Sequence, residues 1–118
     1  MYLVLDGQLS GRGLYRVDGF PLDEEDIPLS QETWAWIDRW LEAYWKAKYN
    51  GFKAYRKLLK KGDLIDLDKE GLRLKAVIQE ELQRDFPDVF LTYWSEAVGE
   101  YLNDGGKPIQ DWHKMVSN

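Results

Sequence analysis

Apolar side chains along residues 31–49 recur with the period of a helix. Trp34, Ile37, Leu41, Tyr44 and Trp45, extended by Lys48, fall on one face, which predicts a helix from about Gln31 to Tyr49. Ser30 stands where an N-cap belongs, and acidic residues follow in the first turns. Trp36 and Trp40 lie four apart on a second face. Asn50-Gly51 breaks the pattern. Phe52, Tyr55, Leu58 and Leu59 then repeat at helical spacing, with Gly62 in the place of a C-terminal cap after Lys60 and Lys61. A third helix is expected from Asp66 or Asp68 to near Pro87, along the stripe Leu67, Gly71, Leu74, Ile78 and Leu82.

The remaining pattern is of strands and turns. Tyr2–Leu5 and Leu14–Val17 are short β-rich runs, each closed by Asp-Gly, and Gly7, Gly11, Gly13 and Gly19 punctuate the interval. Val89–Trp94 has strong strand composition and is expected to pair with the N-terminal strand. Phe20 to Leu29 reads as a loop. Residues 1–118 are thus expected to form a single α+β domain, a small antiparallel-type sheet packed against two main α-helices plus one shorter helix. Within it, residues 1–29 supply strand, glycine-rich and acidic loops; 30–87 are helical; 88–102 hold a strand and the segment after it; 103–118 form a tail.

Composition supports that reading. Of 118 residues, 44 % are apolar and 14 % aromatic, enough for one real core and against disorder. The formal net charge of −5 opposes general affinity for nucleic acid and suits a basic partner. Cysteine is absent, which excludes disulfides and thiolate metal sites and agrees with a reducing compartment. Met1-Tyr2-Leu3-Val4-Leu5-Asp6 has no basic region followed by a long apolar stretch, so no signal peptide is expected there. No apolar run approaches the roughly 20 residues of a membrane span. A cytoplasmic protein is the expectation.

Charge is sorted along the chain. Val17 to Asp38 holds seven acids and no base (Asp18, Asp23, Glu24, Glu25, Asp26, Glu32, Asp38). Lys46 to Lys61 holds seven bases and no acid. The acids of the Phe20–Leu29 loop and Asp18 can stand in for phosphates on a basic surface, or be a plain solvated loop. Phe20, Pro21, Ile27 and Pro28 flank them and can stiffen the loop, lowering the ordering cost of binding. The basic segment, with Trp45, Tyr49, Phe52 and Tyr55, is the alternative site, for nucleic acid. Its aromatics follow helical core spacing rather than projecting with the charges.

Catalytic equipment is sparse. Asp66-Leu67-Asp68-Lys69-Glu70-Gly71 resembles the first half of a calcium loop, but Val77 occupies the twelfth position, where a bidentate glutamate is needed. Helix-start charges are the better account. His113 with Asp111 or Glu100 has no nucleophile or orienting group beside it. Ser10-Gly11-Arg12-Gly13 lacks the spacing of a phosphate-binding loop. No enzyme activity, metal or cofactor is expected. Six tryptophans in 118 residues are many. Trp34 and Trp45 fit the core, whereas Trp36, Trp40, Trp94 and Trp112 can include exposed anchors of an interface. For Trp36 and Trp40, core and interface are equally open.

Four stretches share an order and spacing: Leu3-Val4-Leu5-Asp6-Gly7-Gln8-Leu9-Ser10-Gly11; Leu29-Ser30 with Ile37, Trp40-Leu41, Tyr44 and Tyr49-Asn50-Gly51-Phe52; Leu67-Asp68-Lys69-Glu70-Gly71 with Ile78-Gln79 and Glu81-Leu82; and Tyr93-Trp94-Ser95-Glu96-Ala97. Over roughly residues 3–98 the chain resembles small bacterial immunity proteins encoded beside contact-dependent growth inhibition toxins. Lys53–Lys61 and the tail after Val98 lie outside that pattern. The resemblance implies a non-catalytic antitoxin that binds one cognate toxin domain in the cytoplasm, commonly a nuclease with a basic active site. It does not identify binding residues. Charge and aromatic placement point to Asp18, Asp23, Glu24, Glu25, Asp26, Trp36, Trp40, Trp94 and Glu96 as the toxin-binding set. A nucleic-acid-binding module using residues 46–61 is the alternative, and no membrane partner is expected.

Overall fold

The computed structural model describes residues 2–7, 11–49 and 61–109, with side chains described for all of these except 45–49 and 61–64. The shorter helix expected over Phe52–Leu59 lies outside the described residues. The strands are β1 (Tyr2–Leu5), β2 (Leu14–Arg16), β3 (Phe90–Ser95) and β4 (Glu100–Leu102), and the helices are α1 (Gln31–Tyr49) and α2 (Lys61–Gln83). The sheet runs in the order β2-β1-β3-β4.

Strand β1 does pair with β3, but in parallel, with Leu3 opposite Leu91 and Leu5 opposite Tyr93. The sheet is therefore mixed rather than antiparallel-type, although β1–β2 and β3–β4 are antiparallel. The cause is the connection. Strand β2 reverses the chain, and the segment carrying both helices reverses it again, so β3 enters in the direction of β1. Strand β4, in the segment expected to follow the strand, has only three residues, too few to show a period.

Alternation places Leu3, Leu5, Leu14, Leu91, Tyr93 and Leu102 in one core cluster with Trp34, Ile37, Leu41 and Tyr44 of α1 and Leu67, Leu74, Ile78 and Leu82 of α2. The described members of both predicted stripes are thus buried, while the side chains of Trp45 and Lys48 lie outside the described set. Helix α2 takes in residues earlier than expected, from Lys61, so Gly62 is itself helical. Asp66 and Asp68 are mid-helix rather than N-terminal capping charges. Asp68 turns inward instead and accepts hydrogen bonds from Tyr93 and Ser95. Trp40 is fully buried, and its indole donates to the Leu67 carbonyl at 2.9 Å. Covered by α2 as well as by the sheet, α1 buries more of its circumference than one stripe.

Helix α1 is capped from two sides. The Ser30 hydroxyl accepts from the Thr33 amide at 3.1 Å, as the N-cap reading requires. Glu81 of α2 also accepts from the Ser30 amide, at 2.8 Å, and from the Thr33 hydroxyl. Burial works against this carboxylate, but the bonds from Thr33 and Ser30, with Arg84 nearby, outweigh it and hold Glu81 below its ordinary pKa. A carboxyl lowered on folding stabilises above its unfolded value, about 4.3, and loses that contribution as pH falls through the folded value. Glu81→Ala is therefore expected to cost about 1 kcal/mol at pH 7, the size of a lost cap. Urea unfolding of both proteins, repeated under acid, should show the difference shrinking. A difference independent of pH would remove the capping account.

Short returns cover both outer strands. Phe20–Leu22 lies along β2, where Arg16 donates to the Phe20 carbonyl and Leu22 to the Leu14 carbonyl, each at 2.9 Å. Lys107–Ile109 lies along β4, with bonds from Asn103 to Lys107 at 2.8 Å and from Ile109 to Tyr101 at 2.9 Å. Pro21 and Pro108 sit at the centres of these returns. Strand β4 does not extend opposite residues 89–91. There the Gln79 amide accepts from Leu91 at 2.8 Å and donates to the Val89 carbonyl at 2.7 Å.

Candidate protein-binding surface

The acidic loop begins where β2 ends. Gly19, at φ 91°, closes the turn with its amide on the Arg16 carbonyl. Asp18 accepts from the Phe20 amide at 3.1 Å and pairs with Arg16 at 2.5 Å. Asp23 accepts from the Glu25 amide and Asp26 from the Asp23 amide, both at 2.9 Å. These bonds fold residues 23–26 into a turn using the loop's own acids. Leu22 and Ile27, both buried, fasten it at either side. Of the flanking residues named from sequence, Ile27 anchors as expected. Phe20 does not: it is 53 % exposed, with the Arg16 guanidinium over its ring. Leu22 is the missed anchor.

Arg12 holds the loop to the domain. Its guanidinium meets Glu24 at 2.6 Å and Asp38 of α1 at 3.0 Å, and lies 4.5 Å from the centre of the Trp34 ring. Gly13 makes this approach possible, because φ is 95° and an added Cβ would stand 3.0 Å from Ile37. The segment weighed as a phosphate loop is thus a brace for an acidic surface. Its hydrogen bond to Glu24, against a small cost of burial, keeps the guanidinium even more firmly charged than usual. The acids fall into two kinds. Asp18, Asp23 and Asp26 have carboxylates bonded to loop amides. Glu24 and Glu25 do not, and Glu25 has no side-chain partner among the described residues.

The other sequence-named residues are not gathered around this loop. Trp36 is half-buried and donates to Glu70 of α2 at 3.1 Å, which places it on the helical side. Trp94 alternates with Tyr93 and Ser95, whose side chains reach α2, and so faces away from the helices. It stacks edge-on against Tyr101 at 4.9 Å and lies 3.4 Å from the exposed Glu96. Trp40, being wholly interior, is withdrawn from any anchoring role. The structure therefore unites Asp18, Asp23, Glu24, Glu25 and Asp26 on one loop and separates them from Trp36 and from the Trp94–Glu96 pair. Most of the basic segment 46–61, together with Asp111, Trp112 and His113, lies outside the described residues.

The calcium-like segment 66–71 is helical, with Asp68 committed inward. Among the described residues no group of three or more carboxylate or imidazole side chains is arranged to hold a metal ion. Nor is any helix among them long and apolar enough to cross a membrane. Comparison with protein-family models, curated proteins and solved structures finds no match to the chain.

Proposed function

We propose that the protein is a non-catalytic immunity protein that binds and neutralises a cognate contact-dependent growth inhibition toxin domain in the cytoplasm. The toxin domain would present a basic surface, as a nuclease cleft does. The observation that supports this best is the state of the acidic loop. Its turn is already built by Asp23 and Asp26, pinned by Leu22 and Ile27 and braced by Arg12. A preformed loop loses little conformational entropy on docking, so more of the interaction free energy appears as affinity. Glu25 projects beyond the scaffold, and the exposed Glu24, though shared with Arg12, keeps a second carboxylate oxygen for the partner, so both can meet lysine or arginine in charge-assisted contacts. The net charge of −5 would steer a cationic partner toward the surface. Trp94 with Glu96, and Trp36, offer further contact on other faces.

The test is titration against the C-terminal domain of the protein encoded immediately upstream. A one-to-one complex that abolishes that domain's toxicity is expected, and failure to form one with the protein well folded would overturn the immunity reading. Glu24→Gln with Glu25→Gln leaves the Asp23 and Asp26 bonds in place and exchanges the Arg12 ion pair for a neutral hydrogen bond, so Glu25→Gln alone, which spares the brace, is measured beside it. The double variant is expected to weaken binding by tenfold or more, each charged contact being worth about 1.5–3 kcal/mol, and to flatten the salt dependence. Unchanged affinity in that pair would dismiss the loop as the contact.

A further inference from the structure

A cavity lies away from the acidic loop, between the second half of α2 and the ends of β3 and β4. It measures about 280 Å³ and is lined by Lys75, Gln79, Val89, Leu91, Asp104 and Ile109 among others. Lys75 is the unusual wall. A lysine on a helix of a small domain ordinarily extends its ammonium into water. This side chain is only 5 % exposed, and its ammonium pairs with Asp104. Asp104, by contrast, is 81 % exposed. It sits on a turn shaped by Asn103, whose side chain accepts from the Gly105 and Lys107 amides at 2.9 and 3.0 Å, and by Gly106 at φ 76°. None of those bonds involves the Asp104 side chain, so it can rotate away while the turn stays intact.

We infer that this cavity is a binding site for a small monocarboxylic acid with a short apolar body, whose carboxylate takes the place of Asp104 on Lys75. The buried ammonium requires a counter-charge, and the one it has is a carboxylate free to leave for water. Val89, Leu91 and Ile109 form apolar walls for the rest of the ligand. A phosphate fits less well. Its additional oxygens need several donors, and the Gln79 amide is already committed to the backbone of β3. The volume suits a ligand at the small end of the usual range. This site is independent of the proposed antitoxin function.

The experiment is amide NMR titration of the full chain with sodium hexanoate, with hexan-1-ol and inorganic phosphate as controls. Saturable shifts centred on Leu91, Gly105 and Gly106 are expected from hexanoate, with Kd about 1 mM, the range open to so small a ligand. Asp104→Asn removes the internal competitor at an exposed position and is expected to tighten hexanoate binding at least fivefold. Lys75→Met preserves the stem and is expected to abolish it. No saturable shift in either the parent or Asp104→Asn would overturn the inference. So would equal shifts from hexanol, which would make the ammonium irrelevant, or from phosphate, which would make the apolar walls irrelevant.

Discussion

Asp68→Ala is expected to destabilise the fold by about 3 kcal/mol. The Asp68 carboxylate, buried within α2, accepts from the Tyr93 hydroxyl at 2.7 Å and from the Ser95 hydroxyl. Ser95 in turn accepts from the Val98 amide at 3.0 Å and so holds the turn into β4. Burial, reinforced by Asp68, pushes the Tyr93 phenol far above its usual range, so it remains a donor. Alanine leaves two buried hydroxyls without an acceptor, at about 1–3 kcal/mol each, less the relief of removing a desolvated charge. Asp68→Asn keeps an acceptor for Tyr93 and should cost much less.

The same carboxyl gives a dependence on pH with a definite sign. Burial raises its folded pKa, against the lowering bonds from Ser95 and Tyr93, and the charge of Glu96 adds to the rise. A carboxyl raised on folding binds its proton more tightly in the native state. Stability is then lost as pH climbs from the unfolded value, about 4, through the folded one, and levels off above it. Measured across that range, the urea midpoint of the parent should fall relative to that of Asp68→Asn. A constant gap would mean that Asp68 titrates normally and that burial is not its dominant influence.

Gly71→Ala is the second large effect, expected to cost about 2–3 kcal/mol although alanine is the better helix former. Gly71 lies mid-helix in α2, where glycine costs about 1 kcal/mol relative to alanine. An added Cβ would stand 2.3 Å from the Tyr93 ring, which Asp68 holds by its hydroxyl and Trp40 contacts at a centroid distance of 5.9 Å. The ring has nowhere to retreat, and overpacking of a fixed aromatic outweighs the gain in propensity. Thermal melts should show a fall of about 10 °C for a domain of this size. Against a Tyr93→Val background the same substitution should be nearly harmless. Additive losses in the double variant would show that the clash is not the cause.

The helices were legible because their stripes follow one period: Trp34, Ile37, Leu41 and Tyr44 are interior, as are Leu67, Leu74, Ile78 and Leu82. Trp40 was not, because a second covering element leaves no trace in the period of the helix it covers. The pairing of β1 with β3 was expected, but its direction depends on the whole crossover between them. Around the acidic loop, grouping by charge found the carboxylates and missed their division of labour. Asp23 and Asp26 had spacings at which an aspartate caps a nearby amide, Asp26 that of Asp23 three positions back and Asp23 that of Glu25 two positions on, a local signal present in the sequence. Arg12 gave no such signal. Its partners Glu24 and Asp38 are 12 and 26 positions away, beyond any short window. Glu81, 51 positions from Ser30, was equally invisible.

The covered margins of the sheet bear on how specificity can evolve. With Phe20–Leu22 and Lys107–Ile109 bonded along the outer strands, and prolines in both, the margins of β2 and β4 are closed to strand addition by another chain. Two consequences follow. Pairing of two copies through the margins of β2 and β4 is disfavoured. On the proposed antitoxin reading, recognition would also be written in side chains rather than in main-chain pairing, which any extended peptide could satisfy. An antitoxin surface of that kind could change its partner one residue at a time, leaving the sheet beneath it untouched.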